Sequence, residues 1–316
     1  MIDSDWLNDN VIPFDEFSPR PYRRTWLTIG NFDGVHRGHQ AIIDWMITNA
    51  GPDRDVVVVT FYPNPGAFFK SDQTAFYLST PQEKENQLKA LGVRAVVTFR
   101  FDRDFANLSA ETFLSSMKIN LNLETLVVGH DFALGRNREG TIPVLKKLGE
   151  SLSVAVEVLP PVAWHEEVIS STRIRTLLDD GNVRKAAELL GRPYTVSGTV
   201  THGSDRGARI GLPTANISHW PHKKLPAVGV YATLVDLKGE TFQGLTNVGY
   251  RPTFEQQTLP NVETHLLAFN GNIYGELLEL RFLDKVRDEQ KFSGVDALLA
   301  QIERDKITAQ RIFNRA

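Results

Sequence analysis

The sequence predicts an α/β protein in which a doubly wound parallel sheet is followed by a smaller β-rich domain ending in a helix. Up to about residue 185, apolar β-branched runs of strand length alternate with helical patterns, as they do in βαβ units. From Tyr194 onward, short β-rich runs are separated by glycine and proline turns, which indicates an antiparallel barrel or sandwich. Apolar residues at helical spacing over 294–313 predict the closing helix.

The same patterns place the individual elements. The run 55–61 is apolar almost throughout, as expected of a central parallel strand covered on both faces. The predicted N-terminal strands are 26–29, 55–61, 94–99, 125–129 and 153–159. The predicted helices cover 40–47 and 82–91, and two more begin at residues 109 and 143. The predicted C-terminal strands are 196–201, 229–237, 241–248, 264–269 and 277–282. Near residues 186–193 the pattern changes from alternating strands and helices to short β-rich runs, which predicts two domains, 1–188 and 189–316.

Composition narrows the class of protein. A chain of 316 residues is long enough for two domains. The formal net charge of −3 gives no reason to expect nucleic acid or an anionic membrane as a partner. Cysteine is absent, which excludes disulfides, thiolate metal sites and a cysteine nucleophile. With no apolar run near the roughly 20 residues of a spanning helix, we expect a cytoplasmic protein that acts on small molecules. The oligomeric state is not indicated.

The most informative stretch is the glycine-rich segment 30–39, between the first strand and the first helix. Free backbone N–H groups and the positive dipole end at a helix entrance favour a phosphate. Glycines allow the backbone to approach such a ligand, and two histidines three residues apart can both donate to phosphate oxygens. The segment predicts a phosphate-binding loop, the alternative being a βα turn with two surface histidines. The candidates are Gly30, Asn31, Phe32, Asp33, Gly34, His36, Gly38 and His39.

This segment and four later motifs resemble one set of signatures. GNFDGVHRGH (30–39) is similar to the H-x-G-H signature of nucleotidylyltransferases, GHDFALGRNREG (129–140) to G-x-D-F-x-F-G-x-x-R-x-G, and ISSTRIR (169–175) to I-S-S-T-x-I-R. Residues 196–216 resemble the riboflavin kinase signature G-x-V-x-x-G … G-x-P-T-A-N, and VETHLLAF (262–269) resembles V-E-x-H-L-L-x-F. In this order the motifs resemble the prokaryotic bifunctional riboflavin kinase/FAD synthetase family. That resemblance spans about residues 25–313 and implies a nucleotidylyltransferase (Rossmann-like) domain followed by a riboflavin kinase barrel.

For the N-terminal domain the resemblance implies that FMN is adenylylated by ATP. His36, His39, Ser171 and Arg175 would hold ATP while the FMN phosphate attacks the α-phosphorus, without a protein nucleophile. Positioning and charge stabilisation, helped by Mg²⁺, would supply the catalysis.

Further nucleotide- or flavin-binding positions in this domain come from the same motifs. Thr172 can cap the helix together with its serine neighbours and offer a hydroxyl to phosphate. Asp131 and Arg138 lie in the second glycine-rich motif. Asn64 stands where the family usually has histidine, and asparagine can hydrogen-bond but cannot become a cation at neutral pH.

For the C-terminal domain the resemblance implies that riboflavin is phosphorylated by ATP. Glu263 would be the general base for the riboflavin 5′-hydroxyl, with His265 in support. Thr214 and Asn216 supply hard oxygen ligands suited to Mg²⁺. The remaining binding candidates are Gly203, Arg206, Gly211 and Arg287.

Two positions in this domain leave alternatives open. Arg287 either faces the flavin phosphate or the nucleotide, or it is a surface residue. Ala208 stands where the family commonly has arginine, and the flanking Arg206 and Arg209 could supply that charge.

The leading hypothesis is a bifunctional enzyme that converts riboflavin to FMN and FMN to FAD, with ATP as co-substrate and release of pyrophosphate in the second step. One alternative keeps the kinase and has an adenylyltransferase impaired by Asn64. Another is a non-catalytic flavin-binding regulator. The regulator is opposed by the presence of all the candidate catalytic and metal-binding residues His36, His39, Thr214, Asn216 and Glu263.

Overall fold

The N-terminal part of the chain is built on a parallel sheet. The computed structural model describes residues 4–69, 76–164, 167–203, 212–250 and 260–315. The strands up to residue 170 are β1 (Val11–Ile12), β2 (Arg24–Ile29), β3 (Arg54–Tyr62), β4 (Ala95–Arg100), β5 (Leu123–Gly129), β6 (Ala133–Leu134), β7 (Gly140–Thr141), β8 (Ala155–Leu159), β9 (Ala163–Trp164) and β10 (Glu167–Val168). The helices are α1 (Ser4–Asn10), α2 (Arg37–Ala50), α3 (Pro65–Phe68), α4 (Pro81–Ala90), α5 (Arg103–Ala106), α6 (Ala110–Leu121) and α7 (Ile142–Leu152).

The order of the strands creates a switch point in the sheet. The sheet runs β1-β4-β3-β2-β5-β8, and all neighbouring strands are parallel. From β2 the chain proceeds through β3 to β4 on one side, then crosses to β5 on the other side of β2. Open α/β sheets bind ligands at the carboxyl ends of the strands where the order reverses. Here that position is the end of β2 and β5.

Both faces of this sheet are covered, which explains the uninterrupted apolar run in β3. Val57 and Val59 pack with α6 and α7 residues on one face. Val56 and Val58 pack with α2 and α4 residues on the other. Alternate side chains of a strand point to opposite faces, so a strand between two helical layers must be apolar on both.

The C-terminal part forms a closed antiparallel barrel, as the family resemblance implies, and not a sandwich. Its elements are α8 (Ser171–Asp179), α9 (Val183–Leu190), β11 (Tyr194–Thr201), β12 (Ala215–His219), β13 (Gly229–Leu237), β14 (Glu240–Gly249), β15 (Asn261–Leu266), β16 (Leu277–Arg287) and α10 (Val295–Phe313). The strands close in the order β11-β12-β15-β14-β13-β16. The closing helix α10 packs against the barrel through the buried Ala309.

Three details of the barrel differ from the sequence prediction, of which one is that β16 continues to Arg287, five residues beyond the predicted strand 277–282. The strand expected over 264–269 lies at Asn261–Leu266, three residues earlier. Ala268 has a positive φ of 54°, a left-handed conformation that does not continue a strand. The strand β12 was not predicted, because it begins with Ala215 and Asn216, the last two residues of the kinase motif, which was interpreted as a binding motif.

The chain divides into two compact units. We call Ile2–Gln73 with Ser79–Ser170 the sheet unit, and Thr74–Leu78 with Ser171–Ala316 the barrel unit. Within the described ranges, every helix is too short or too polar to cross a membrane.

Candidate active sites

In the sheet unit the glycine-rich loop (residues 30–36) leaves the carboxyl end of β2, at the switch point. Gly34 has a φ of 80°, which glycine adopts without strain. Its N–H donates to Ser79 Oγ at 3.1 Å, and the Ser79 N–H donates to Asp33 Oδ1 at 3.2 Å. Phe32 and Val35 also have positive φ values, 47° and 38°. Such values are costly for a β-branched residue and occur where a functional backbone is held in place.

The two histidines occupy the entrance of α2. His36 is the N-cap residue and is buried, and its Nδ1 accepts a hydrogen bond from the His39 N–H at 3.4 Å. That contact leaves Nε2 of a neutral His36 as the ring donor. The two rings stack with centroids 3.7 Å apart, and the Phe32 ring lies 4.8 Å from that of His39. A Cβ at Gly38 would lie 3.1 Å from the His36 ring, so the glycine makes room for this imidazole.

A buried lysine that the sequence analysis did not identify lies against this loop. Lys84 is only 7% exposed, and its ammonium donates to the Asn31 carbonyl at 3.2 Å and to Thr60 Oγ1 at 2.8 Å. Burial lowers the pKa of Lys84 from 10.5 to about 8, against the opposing effect of Asp33. In the sequence Lys84 lies between two glutamates and suggests a solvated helix face. The one sign of its burial in the sequence is its position four residues before Leu88, because residues four apart lie on the same face of a helix.

Asn64 lies at the carboxyl end of β3 and has a structural role of its own. Its Oδ1 accepts a hydrogen bond from the Gly66 N–H at 2.8 Å and caps α3. The side chain is 5% exposed. Asparagine therefore serves as a helix cap at the position where the family usually has histidine.

An aromatic cluster surrounds the same edge of the sheet. The rings of Phe61, Phe68, Phe69 and Phe105 all lie within 6 Å of the Phe101 ring, at centroid distances of 5.9, 5.4, 5.9 and 5.6 Å. Phe69 is 71% exposed. A large exposed ring supported by others provides a surface on which a planar ligand can stack.

The second glycine-rich motif begins where β5 ends. Asp131 and Arg138 are both exposed, and Arg138 donates from Nη2 to the Asp131 carbonyl at 3.1 Å. Gly135 has a φ of 79°, and a Cβ there would lie 2.7 Å from the backbone nitrogen of Ala110. The motif is thus positioned beside the switch point, with its two predicted binding residues at the surface.

Ser171, Thr172 and Arg175 belong to α8 and to the barrel unit. Arg175 stacks on the Phe76 ring, 4.1 Å from its centroid, and donates from Nε to the Phe76 carbonyl at 2.8 Å. These contacts fix the guanidinium plane. The contact of the three residues with ATP stays a prediction.

In the barrel unit, strand register assembles a polar group around Glu263. On β15, Glu263 is paired with Asn216 of β12 on one side and Asn247 of β14 on the other. Asn261 donates from Nδ2 to Glu263 Oε1 at 2.7 Å, and the same nitrogen lies 3.4 Å from Asn216 Oδ1. His265, on the same face, contacts the Pro213 carbonyl through Nδ1 at 2.8 Å. The carboxylate is therefore oriented by a neighbouring amide.

Two cavities of the barrel unit meet at Thr214. One has a volume of about 230 Å³ and is lined by Glu263, by apolar residues such as Leu245, and by Leu298 and Ile302 of α10. The other, of about 390 Å³, lies on the side of Phe269 and Tyr274. Thr214 lines both. A phosphoryl donor and an acceptor could thus occupy separate cavities and meet near Glu263.

The backbone at Gly203 is pressed against the predicted metal ligand Asn216. A Cβ at this position would lie 2.0 Å from Asn216 Nδ2, so an alanine here would have to displace the Asn216 amide. Asn216 itself is buried. Arg206 and Gly211, and with them Ala208 and Arg209, lie outside the described residues.

Arg287 lines the smaller cavity together with Glu263, and it also holds α10 in place. Its Nε donates to both carboxylate oxygens of Asp305, at 3.0 and 2.9 Å. Asp305 is 2% exposed and accepts a further hydrogen bond from Gln301 Nε2 at 2.8 Å. Sequence reasoning missed Asp305, since a single acidic residue in an amphipathic helix gives no sign of burial.

Family models match both parts of the chain. The FAD synthetase model matches residues 18–173 and the riboflavin kinase model matches residues 190–313. The stretch 174–189 lies between the two matches, so the boundary at 188/189 stays a prediction.

Relatives with a stated function match almost the whole chain. The bifunctional riboflavin kinase/FMN adenylyltransferase of Escherichia coli K12 is 39% identical over 303 residues, which covers 94% of this chain and 95% of the relative. That of Bacillus subtilis 168 is 36% identical over 294 residues, covering 91% and 92%. A crystal structure titled macrolide-efflux protein, from Streptococcus pneumoniae, superposes with a TM-score of 0.87 at 32% identity and covers 95% of this chain and 99% of that one. That superposition supports the fold of both units taken along the chain.

Proposed function

Because the chain belongs to the bifunctional riboflavin kinase/FMN adenylyltransferase family, we propose that its barrel unit phosphorylates riboflavin to FMN and that its sheet unit adenylylates FMN to FAD. ATP is the co-substrate of both reactions. The observation that carries the proposal is that each unit has its own polar site, one at the switch point of the sheet and one at Glu263 of the barrel.

In the kinase reaction Glu263 is the general base. Its carboxylate accepts the proton of the riboflavin 5′-hydroxyl as that oxygen attacks the γ-phosphorus of ATP, and ADP leaves. Asn261 orients the carboxylate through the 2.7 Å hydrogen bond to Oε1. The smaller cavity, which has an apolar wall and Glu263 at its edge, suits the flavin ring, and the larger cavity suits the nucleotide.

Mg²⁺ is the metal we expect in the kinase site, held by Thr214 and Asn216. Both side chains offer oxygen, the ligand type that Mg²⁺ prefers, and this ion commonly keeps few protein ligands beside phosphates and waters. When bound, Mg²⁺ would neutralise charge on the transferring phosphoryl group.

In the adenylylation reaction the chain positions two phosphorylated substrates. The FMN phosphate attacks the α-phosphorus of ATP and pyrophosphate leaves, so no protein nucleophile is needed. The N–H groups at the start of α2 and the Nε2 donor of His36 bind phosphate oxygens. The exposed Phe69 and its aromatic neighbours give the isoalloxazine ring a stacking surface at the end of β3.

One experiment distinguishes this function from its alternatives. The purified chain is incubated with riboflavin, ATP and Mg²⁺, and the flavins are separated by chromatography over time. We expect FMN to appear first and FAD to follow. FMN alone would favour a kinase with an impaired adenylyltransferase, and unchanged riboflavin would favour a flavin-binding regulator. The activities named for the relatives support small-molecule substrates, whereas the cytoplasmic location remains a prediction.

A further inference from the structure

Lys84 is a buried cation whose hydrogen bonds end on the glycine-rich loop. A buried ammonium is unfavourable unless it is well paired. Here the Nζ donates to Asn31 O at 3.2 Å and to Thr60 Oγ1 at 2.8 Å, and the Thr60 hydroxyl in turn donates to Asn31 O at 3.2 Å. The carbonyl of Asn31 thus receives two donors from inside the sheet unit. No feature of the adenylylation mechanism described so far requires a lysine at this place.

We propose that Lys84 is a positioning residue for adenylyl transfer, which fixes the Asn31 end of the glycine-rich loop and supplies positive charge behind it. The proposal rests on the proposed function of the sheet unit. A loop that binds phosphates through backbone N–H groups must hold them in one arrangement, because small displacements of a bound substrate are costly in rate. A cation in a site of low dielectric also favours a polyanion on the other side of the loop.

The charge state of Lys84 can respond to pH in the range where enzymes are assayed. Its pKa is about 8, so the free enzyme loses this charge above that pH. Bound nucleotide phosphates favour the charged form, so binding raises the pKa, and affinity must fall as the lysine loses its proton. The second pKa of a phosphate monoester is near 6. The phosphate groups of the substrates are therefore already deprotonated near pH 8 and do not cause an inflection at that pH.

Titratable side chains lie on the loop, at the start of α2 and on α4 itself. Asp33, on the loop, is the group whose charge acts on Lys84. His36 and His39 lie at the start of α2. On its own helix, Glu83 closes the capping box with Thr80, and Glu85 pairs with Lys89 at 2.6 Å.

The test compares the pH dependence of FAD synthesis in two variants of the full chain, with FMN supplied. For the wild type, kcat/KM for ATP should fall above about pH 8, with a slope that approaches tenfold per pH unit. The inflection in the pH profile of kcat should lie at higher pH, because bound ATP favours the charged lysine. Lys84→Met should lower kcat/KM roughly 10- to 100-fold near neutral pH and should remove the inflection. Lys84→Arg, which stays charged, should keep more activity and also lack the inflection.

Several controls separate a charge effect from a folding defect. Riboflavin phosphorylation by the barrel unit of the same molecule is the internal control, and Lys89→Met removes an exposed lysine of the same helix and should change neither activity. Thr60→Val removes one partner but keeps the ammonium, so it should lower the rate and retain the inflection. A Lys84→Met enzyme with the wild-type pH profile would overturn this inference alone. A wild type that makes no FAD from supplied FMN would overturn the proposed function as well.

Discussion

Replacing Lys84 by methionine should change how the stability of the sheet unit depends on pH. Burial lowers the pKa of Lys84 from 10.5 to about 8. Since one pKa unit corresponds to about 1.4 kcal/mol, the buried charge destabilises the folded unit by about 3 kcal/mol at neutral pH. Methionine is similar in length and carries no charge. The Asn31 carbonyl keeps a donor in this variant, because the Thr60 hydroxyl still reaches it at 3.2 Å.

The sign of the effect follows from proton counting. Below about pH 8 the folded and unfolded chains both hold the lysine proton, so the penalty is fully present. Between about 8 and 10.5 the unfolded chain holds more protons than the folded one, and the free energy of unfolding therefore rises with pH. Above that range neither state holds the proton and the penalty is gone. The wild type should gain about 3 kcal/mol relative to Lys84→Met across this window.

Urea unfolding of the full chain at several pH values measures this difference. Trp26 and Trp45 stack in the sheet unit with ring centroids 5.7 Å apart, and their fluorescence reports its unfolding. The two units require a fit with separate transitions. Other groups that titrate in the same range contribute equally to both proteins and cancel in the comparison. A wild-type minus variant difference that stays constant within about 0.5 kcal/mol from pH 7 to 10.5 would refute the assignment of a buried, charged Lys84.

Substitutions at three further positions test contacts in both units. Gly203→Ala should abolish riboflavin phosphorylation and spare FMN adenylylation, because the new Cβ would lie 2.0 Å from Asn216 Nδ2. Separate assays of the two activities test this prediction, and an unchanged kinase activity would contradict it. Asp305→Ala should lower the free energy of unfolding of the barrel unit by about 3–5 kcal/mol, since it leaves the Arg287 guanidinium without its carboxylate. Chemical unfolding measures this change, and a decrease below about 1 kcal/mol would argue against a stabilising ion pair. Asn64→Ala should lower the free energy of unfolding of the sheet unit by about 1 kcal/mol because it removes the cap of α3, whereas Asn64→Ser should retain most of this stability. Equal decreases in the two variants, measured by chemical unfolding, would argue against capping.

Patterns that depend on neighbours in sequence were read correctly. The apolar run of β3 predicted a strand covered on both faces, and two helical layers cover it. The helix predicted over 82–91 lies at Pro81–Ala90, and Thr80 caps it in a capping box with Glu83. These features are local, because a strand period or a cap involves residues only a few positions apart.

Features that depend on distant residues were missed. Lys84 carries the pattern of a surface residue, and its burial depends on a loop more than fifty positions earlier in the chain. The buried Asp305 carboxylate is paired with Arg287, which lies on a strand 18 positions earlier in the chain. The end of β15 was misplaced because the apolar residues that follow it continue the pattern of a strand. For Lys84 and Asp305, tertiary contacts decided what the local pattern left open.

The central claim, that two separate sites in one chain act in sequence, is tested most directly by a complementation assay. Glu263→Gln should make FAD from supplied FMN but no FMN from riboflavin, and His39→Ala should stop at FMN. A mixture of these two variants, given riboflavin, ATP and Mg²⁺, should produce FAD, because FMN released by one protein can be used by the other. Loss of both activities in either single variant, together with no FAD from the mixture, would contradict the claim of two independent sites.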